Sequence, residues 1–366
     1  MSAFIHIIPG WLELLSLTFC IGALVCRLWV LADSTDSGFS LQEGILASLW
    51  RVFGICLTIM IVSSIAELLV RASDMSGRSV SMVFPVLPTV ILRTHAGRVW
   101  LVRMAALILL SVGVKAGRRY RDSRGFLLFV LGFAVVISMT ESASGHASDK
   151  GDFSLPEIID WLHLMASSVW GGGLLVLSAV VLPELVGKGD TTAPLIADVA
   201  RRFSAIAGFA VGVIGITALY NSLVYVGSFG AFLKTSYGWT AAVKIFLFGF
   251  ILYLGAFNRY VSVPLLQECA CASSESQGII ERIAAHFFPR YLCTRDKSLI
   301  AVRFRGTVKV EAVLLVAILL CAAFLRHEIP ARHASHLEHH GGTGDSMPRH
   351  NVDSPHNHTD HNNQRQ

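Results

Sequence analysis

Charged residues are scarce in this sequence. Asp, Glu, Lys and Arg make up 15% of the 366 residues, whereas hydrophobic residues make up 53%. A soluble domain of this size would need a larger charged surface, so the composition argues against one and indicates that most of the chain lies in lipid. The net charge of +5 does not indicate nucleic-acid binding, because the basic residues gather in the connections between apolar runs.

Several functional motifs are also missing. The sequence has no G-x-x-x-x-G-K-[ST] loop, so ATP is not implied, and no H-E-x-x-H or nucleophile–base pair, so an enzyme is not expected. No basic leader precedes the first apolar run, which continues beyond a normal signal core. We therefore expect that run to remain as a membrane helix.

The seven cysteines do not form a disulfide framework. Four lie in apolar runs, and three lie in a long connection that we assign to the reducing cytoplasm, where disulfides are not expected. The first group is Cys20, Cys26, Cys56 and Cys321, and the second is Cys269, Cys271 and Cys293.

Eight apolar runs are long enough to cross a bilayer, since roughly 20 residues suffice for one helical crossing. We expect an all-α integral membrane protein with eight transmembrane helices. The runs are approximately 8–31, 46–70, 97–116, 125–143, 158–182, 203–226, 240–261 and 308–326.

Basic residues between the third and fourth runs set the expected orientation. The connection "KAGRRYRDSRG" carries five of them, and Lys and Arg near helix ends are retained on the cytoplasmic side. Both termini are then periplasmic, in a multi-pass protein of a bacterial inner membrane. The 71–96 connection, with three arginines on the outside, fits this assignment least well. The five residues are Lys115, Arg118, Arg119, Arg121 and Arg124.

An internal repeat is visible when the chain is shifted by 150 residues. "WLELLSLTFCIGALV" (11–25) then aligns with "WLHLMASSVWGGGLL" (161–175), and further on "THAGRVWLVR" (94–103) resembles "TSYGWTAAVK" (235–244). We predict two four-helix halves in parallel orientation, 1–143 and 144–326, with the second including an inside loop at 262–307. Recurrent Trp-Leu and small residues in any membrane protein are the alternative explanation.

Ionisable residues inside apolar runs are the candidates for function, because a charge near mid-bilayer costs roughly 2.5–3.5 kcal/mol on insertion scales. With both termini outside, most of them fall toward the outer half of the membrane and could face a common outer vestibule. Arg103 and Lys244 complete the set and are assigned a structural or transport role together with Glu13. The outer group is Glu13, Glu67, Glu141, Asp160 and His163.

The segment 141–173 is the sharpest candidate for metal binding. His146 and His163 flank one short outer loop, Asp160 lies three residues before His163 on one helix face, and Met165 follows at similar depth. Imidazole together with thioether favours copper, Cu(I) in particular. The alternative is that His146 caps a helix and His163 packs against a neighbouring one.

Weaker candidates lie on both sides of the membrane. His6 and His95 precede helices on the outside and could belong to a metal path. Cys269-x-Cys271 could form an inside exit site for a soft metal, although unligated surface cysteines are the alternative. Trp170, Gly171 and Gly172 begin a glycine-rich stretch that we expect to permit close helix approach.

The tail, residues 327–366, holds nine of the fourteen histidines and almost no apolar residues. Its composition predicts a disordered, periplasmic, His-rich segment rather than a packed domain. Histidines three or four apart on a transient turn, or two apart in extended chain, could capture a metal loosely. The candidates are His333, His336, His339, His340, His356 and His358.

A set of short motifs resembles the CopD family of copper-resistance membrane proteins, which includes the PcoD and YcnJ types. The motifs occur in order over 144–259, and the eight-helix pattern extends the resemblance over about 1–326. They are "SGHA" (144–147), "D-x-x-H-L" (160–164) with "W-G-G" (170–172), "RFS" (202–204), "TALYN" (217–221), "TSYG" (235–238) with Lys244, and "NR" (258–259).

The resemblance implies an inner-membrane protein that handles copper and moves it from the periplasm toward the cytoplasm, often beside a small periplasmic copper-binding protein of the CopC type. It also implies ligands among outer-facing His and Met residues, which His146 and His163 match here. Two features depart from the family: the chain carries no CopC-like domain, and the histidine-rich tail is not a general family feature.

Two other functions remain open from the residues. Paired histidines within a four-helix unit can hold haem in a b-type cytochrome, although only His163 lies within a helix here and its counterpart in the first half is Glu13. A copper sensor or accessory subunit that transports nothing is the other alternative.

Overall fold

The computed structural model describes residues 2–31, 39–145, 151–186, 192–225, 235–268 and 297–328. In these ranges it contains eight helices long and apolar enough to span a membrane, which confirms the predicted all-α membrane architecture. We label them α1 (Ser2–Val25), α2 (Phe39–Ser76), α3 (His95–Ala116), α4 (Arg124–Ser142), α5 (Leu155–Val176), α6 (Ala193–Tyr225), α7 (Ser236–Phe257) and α8 (Lys297–His327).

Three of these helices continue through a short π-helical segment. Cys26–Val30 follows α1, Leu177–Val181 follows α5 and Asn258–Ser262 follows α7. The latter two run on into the short helices Leu182–Val186 and Val263–Glu268. The π segments after α1 and α5 start 151 residues apart and thus occupy matching places in the two predicted halves.

The helices α3 and α7 match closely, as the repeated Thr-x-x-Gly blocks predict. Each has 22 residues and begins after a threonine whose hydroxyl accepts a hydrogen bond from a glycine N–H at 3.0 Å. The pairs are Thr94 with Gly97 and Thr235 with Gly238. Such a cap satisfies one of the free N–H groups at a helix start, so the local sequence fixes where both helices begin.

Two connections are more helical than the sequence predicts. The inside loop expected at 262–307 is shorter, because Val263–Glu268 is helical and α8 begins at Lys297. Basic residues between 297 and 309 interrupt the hydropathy of this region, yet Ile300 and Phe304 are buried in the core. In the 71–96 connection, two 3-10 turns (Val80–Met82 and Phe84–Val86) precede the helix Leu87–Arg93.

The core of the bundle lies around α1 and α5. The helix α1 packs against α2, α5 and α8, while α5 packs against α6 and α4; α7 packs against α8. Thr18 of α1 and Ser168 of α5 lie face to face, with their hydroxyl oxygens 3.4 Å apart. These residues are 150 positions apart, so equivalent positions of the two predicted halves meet at the centre.

Candidate functional site

Most of the buried charge lies at one end of the bundle. Because eight spans are an even number, the start of α1 and the end of α8 lie at the same end, which we call the terminal end. Glu13 and Arg103 lie in the first halves of α1 and α3, Glu67 lies in the last third of α2, and Glu141 lies near the end of α4. The four residues therefore meet at the terminal end.

Arg103 is the centre of this group. Its guanidinium Nη1 lies 2.9 Å from Glu13 Oε1 and 3.2 Å from Glu67 Oε2, and Nη2 lies 2.9 Å from Glu141 Oε2. It also donates to the hydroxyl and carbonyl of Thr140 and to the hydroxyl of Ser144. Arg103 is 2% exposed and Glu13 is fully buried. The ion pairs and hydrogen bonds of the guanidinium offset the free-energy cost of burying its charge.

A second arginine completes the group, and the sequence did not single it out. Arg326, at the end of α8, forms an ion pair with the Glu141 carboxylate and donates to the Glu141 carbonyl at 2.8 Å. An arginine at the edge of an apolar run usually lies at the membrane surface, so the sequence provides no reason to expect a buried carboxylate as the partner of Arg326. We call Glu13, Glu67, Arg103, Glu141 and Arg326 the Arg103 cluster.

The Arg103 cluster contains most of the outer ionisable residues that were expected to face a common vestibule. Three of the five expected residues, Glu13, Glu67 and Glu141, come together, and each contacts Arg103. Among the described residues, two carboxylate oxygens of the cluster are buried without a hydrogen-bond partner: Oε2 of Glu13, and Oε2 of Glu141, which forms the ion pair with Arg103.

The other two, Asp160 and His163, lie beside this cluster on the first turns of α5. Asp160 Oδ2 accepts a hydrogen bond from the Ser142 hydroxyl at 2.9 Å. His163 Nδ1 lies 2.9 Å from the hydroxyl of Thr217 on α6. Lys244 of α7 is close enough to interact electrostatically with both Asp160 and His163.

The bonds of Thr217 indicate which nitrogen of His163 carries the proton. The Thr217 hydroxyl oxygen lies 2.7 Å from the Val213 carbonyl and 3.1 Å from the Ile214 carbonyl, and a carbonyl can only accept. When the single hydroxyl proton is donated to either carbonyl, the oxygen accepts from His163 Nδ1–H, and the lone pair of a neutral ring lies on Nε2. This is the form in which a histidine can bind a metal through Nε2.

Met165 lies two residues further along α5. Its sulfur lies 3.1 Å from the Ser138 hydroxyl oxygen of α4, which is also 2.7 Å from the Val135 carbonyl and accepts from the Trp161 indole at 2.9 Å. The thioether is thus held toward α4, whereas the His163 ring is held toward α6. The structure places both near the terminal end, but on different sides of α5.

The offsets of the predicted repeat relate residues of the Arg103 cluster to different side chains in the second predicted half. A shift of 150 residues relates Glu13 to His163 and Glu67 to Thr217, and the shift of 141 that relates α3 to α7 takes Arg103 to Lys244. At these equivalent positions the first predicted half has two carboxylates and an arginine, and the second has an imidazole, a hydroxyl and a lysine.

The two histidines predicted at the outer helix ends each lie beside a carboxylate. His6 Nδ1 is 3.3 Å from Asp74 Oδ2, and His95 Nε2 is 2.7 Å from Asp152 Oδ1. Neither is brought to His163. Across residues 2–328, leaving aside the gaps between the described ranges, no group of three or more His, Cys, Asp or Glu side chains could hold a metal ion.

The remaining predicted ligands lie outside the residues that the structure describes. They are His146, the inside cysteines Cys269 and Cys271, and the tail histidines His333, His336, His339, His340, His356 and His358. Their metal-binding roles stay predictions.

The predicted Trp-Gly-Gly stretch lies in the last third of α5. Trp170 contacts Phe248 of α7 edge to face, with ring centroids 5.5 Å apart. A methyl group added to Gly171 would meet Leu315 of α8, and one added to Gly172 would overlap the backbone of α1. This stretch therefore brings three helices close to α5.

A second buried polar group lies at the opposite end of the bundle. Asn258, which belongs to the "NR" motif, donates to the Glu311 carboxylate and accepts from the Thr307 hydroxyl at 2.8 Å. It borders a mostly apolar cleft of about 230 Å³ between α5, α6, α7 and α8. Glu311 sits among basic and apolar residues of α8, and the hydropathy of α8 gave no reason to single it out.

Two family models match the chain. The model described as "Copper resistance protein D-like, N-terminal domain" matches residues 1–154, and the model described as "Copper resistance protein D" matches residues 197–325. Together they cover more than three quarters of the sequence.

Two curated relatives match at lower coverage. The "Copper transport protein CutJ" of Bacillus subtilis is 32% identical over 167 residues, which are 45% of this chain and 30% of the relative. The "Copper resistance protein D" of Pseudomonas syringae pv. tomato is 25% identical over 207 residues, which are 56% of this chain and 66% of the relative. The matched part thus spans less than two thirds of each relative. No solved structure matches the chain.

Proposed function

Because the chain belongs to the copper resistance protein D family, we propose that it binds copper in the bacterial inner membrane and moves it from the periplasm toward the cytoplasm. On this proposal the terminal end of the bundle is periplasmic. Copper is the cargo, and the protein catalyses no covalent step. A periplasmic copper-binding protein of the CopC type is the partner that would deliver the ion.

The observation that carries the proposal is the state of His163. With the Thr217 hydroxyl donating to a carbonyl of its own helix, its oxygen accepts from Nδ1–H, and Nε2 has the lone pair that can bind a metal. A ligand oriented in this way by a hydrogen-bonding partner binds a metal more tightly than a freely rotating one. Since His163 lies within the first turns of a membrane span, an ion bound there has already left the aqueous phase.

The charges around His163 favour a transient rather than a permanent site. Asp160 lies three residues before His163 on α5, and Lys244 interacts electrostatically with both. The carboxylate attracts an incoming cation and the ammonium opposes it, so their effects partly cancel. Weak net binding is what a transporter needs, because an ion that is bound too tightly is not released.

Copper accumulation in cells tests the proposal. A strain lacking the gene is complemented with the natural chain, with His163→Ala or with His163→Met, and its copper content is measured at low supply. We expect His163→Ala to resemble the deletion and His163→Met to recover part of the uptake, since a thioether also binds Cu(I). Equal copper in all four strains would contradict transport and leave a sensor or accessory role.

A visible spectrum of the purified protein tests the haem alternative. Among the side chains that the structure describes, the other histidines, His6 and His95, lie beside Asp74 and Asp152, so neither is paired with His163 as a second axial ligand. We expect copper without a Soret band. A Soret band with stoichiometric haem would overturn the transport proposal.

A further inference from the structure

Two cysteines meet where α1 and α2 pack together. Cys20 and Cys56 are hydrogen-bonded to each other through their thiols, and the Ser16 hydroxyl is hydrogen-bonded to the Cys56 thiol. Cys20 is 1% exposed and Cys56 is 8% exposed. Both are free thiols, so the contact is not a disulfide.

The thiol pair lies deeper in the membrane than the Arg103 cluster. Cys20 follows Glu13 by seven residues on α1, and Cys56 precedes Glu67 by eleven on α2. At a rise of roughly 1.5 Å per residue, these separations correspond to about 10 and 16 Å along the two helices. The pair therefore lies toward the middle of the first two spans.

A thioether lies between the thiols and the cluster. Met60 is four residues from Cys56 on α2, which places the two on one helix face, and it is fully buried. Thiolate and thioether sulfurs are the ligands that favour Cu(I). Three sulfur-bearing residues thus occupy one region of the α1–α2 interface.

The second half of the chain shows that this packing position does not require sulfur. The residues 150 positions after Cys20 and Cys56 are Trp170 and Ile206. Both pack within or against the same hydrophobic core as the two cysteines. A buried cysteine often serves as a small apolar residue. That role does not explain why two thiols contact each other at the same depth in the membrane.

We propose that Cys20 and Cys56, with Met60 beside them, form a Cu(I) site within the membrane, one step inward from His163 and the Arg103 cluster. This inference rests on the proposed function, because it takes Cu(I) as the cargo. A thiol that binds the ion as thiolate releases its proton. Release of one proton for each Cu⁺ bound keeps the site electrically neutral, as a buried site requires.

Binding of Cu(I) to the purified full-length chain tests the site. Anaerobic titration with Cu(I) against a chromophoric chelator gives the number of ions bound, and X-ray absorption identifies sulfur ligands. All proteins carry serine at Cys269, Cys271 and Cys293 so that the inside cysteines do not contribute. We expect Cys20→Ser and Cys56→Ser each to lose one bound Cu(I) and its sulfur signal.

The remaining cysteines of the spans are matched controls. Cys26 is equally buried and Cys321 is partly buried, and both are free thiols. We expect Cys26→Ser and Cys321→Ser to bind as many Cu(I) ions as the parent. Gel filtration checks that each variant is folded, and Cys56→Ala provides a smaller apolar replacement if the serine variant aggregates.

Two results separate this inference from the proposed function. If the parent and Cys20→Ser bind the same number of Cu(I) ions with the same sulfur signal, the thiol site is overturned even though cells still accumulate copper through His163. If cells lacking the chain accumulate copper normally, transport is overturned whatever the purified protein binds.

Discussion

Gly22 and Gly172, which are 150 residues apart in the chain, lie backbone to backbone where α1 crosses α5. A methyl group added to either glycine would overlap main-chain atoms of the other helix. Thr18 and Ser168 meet one turn away with the same separation of 150. Contacts between equivalent residues arise where a two-fold axis relates two copies, so the axis of the predicted repeat would pass through this crossing.

The crossing gives the first prediction. Gly172→Ala adds a methyl group that can be accommodated only if α1 and α5 separate, and overpacking of this kind costs about 1–3 kcal/mol. We expect a lower midpoint of thermal unfolding in detergent, measured by circular dichroism. Gly215→Ala is the matched control, because an added methyl on that glycine of α6 meets nothing within 4 Å. Equal midpoints for the two variants would contradict the close crossing.

Arg103 gives the second prediction. Arg103→Met leaves Glu13 and Glu67 without their cation in a nonpolar environment, and removal of one partner from a buried ion pair costs about 3–5 kcal/mol. We expect a much lower yield of folded protein, measured by fluorescence-detected gel filtration of a tagged chain. Arg98→Met on the exposed side of α3 is the control.

A double variant tests whether this loss comes from the unpaired charge. Combining Arg103→Met with Glu13→Gln removes one of the stranded carboxylates. We expect part of the folded yield to return, since the effects of residues in contact are not additive. If the double variant folds no better than Arg103→Met alone, the ion pair with Glu13 is not what the arginine stabilises.

The sequence predicted those parts of the fold that follow from local pattern. Long apolar runs predicted eight spans, and the repeated Thr-x-x-Gly blocks predicted matching helices, because a threonine cap acts within one turn. The helices α3 and α7 begin after Thr94 and Thr235 accordingly. The sequence did not predict the start of α8 at Lys297. Charged residues lower the mean hydropathy of 297–309, although one face of this part of the helix is buried.

Contacts between distant residues could not be predicted in the same way. The sequence identified Glu13, Glu67, Glu141 and Arg103 as costly charges in the membrane, but not that one guanidinium contacts all three carboxylates. Pairing depends on the rotation of each helix about its own axis, which the pattern of apolar residues along one segment does not give. Thr217 was visible only as part of a motif, and its contact with His163 gave it a role.

The tail gives the third prediction. Deletion of 332–366 should leave the unfolding midpoint unchanged, because this segment has almost no apolar residues that could pack against the bundle. Copper accumulation at low supply should fall severalfold if the tail histidines collect the ion. Replacing the six candidate histidines by glutamine keeps the length and should cause the same fall. If copper accumulation falls in the deletion but not in the glutamine variant, the tail histidines do not cause the fall.

The fourth prediction concerns the hydroxyl of Thr217. Thr217→Val keeps the shape of the side chain but removes the acceptor for His163 Nδ1–H, so the ring is free to turn or to change tautomer. Loss of such an orienting bond typically weakens metal binding by about 10–100-fold. We expect copper to bind the purified variant correspondingly more weakly, measured by competition with a chelator of known affinity.

A second threonine separates this effect from the loss of any hydroxyl in a membrane helix. Thr58 donates to a carbonyl of its own helix, as Thr217 does, but its side chain is exposed on α2. Thr58→Val should therefore bind copper like the natural chain. If Thr217→Val and Thr58→Val both bind copper with full affinity, His163 does not need Thr217 to act as a copper ligand. If Thr217→Val binds as weakly as His163→Ala, the orientation of the ring accounts for most of the contribution of His163 to copper binding.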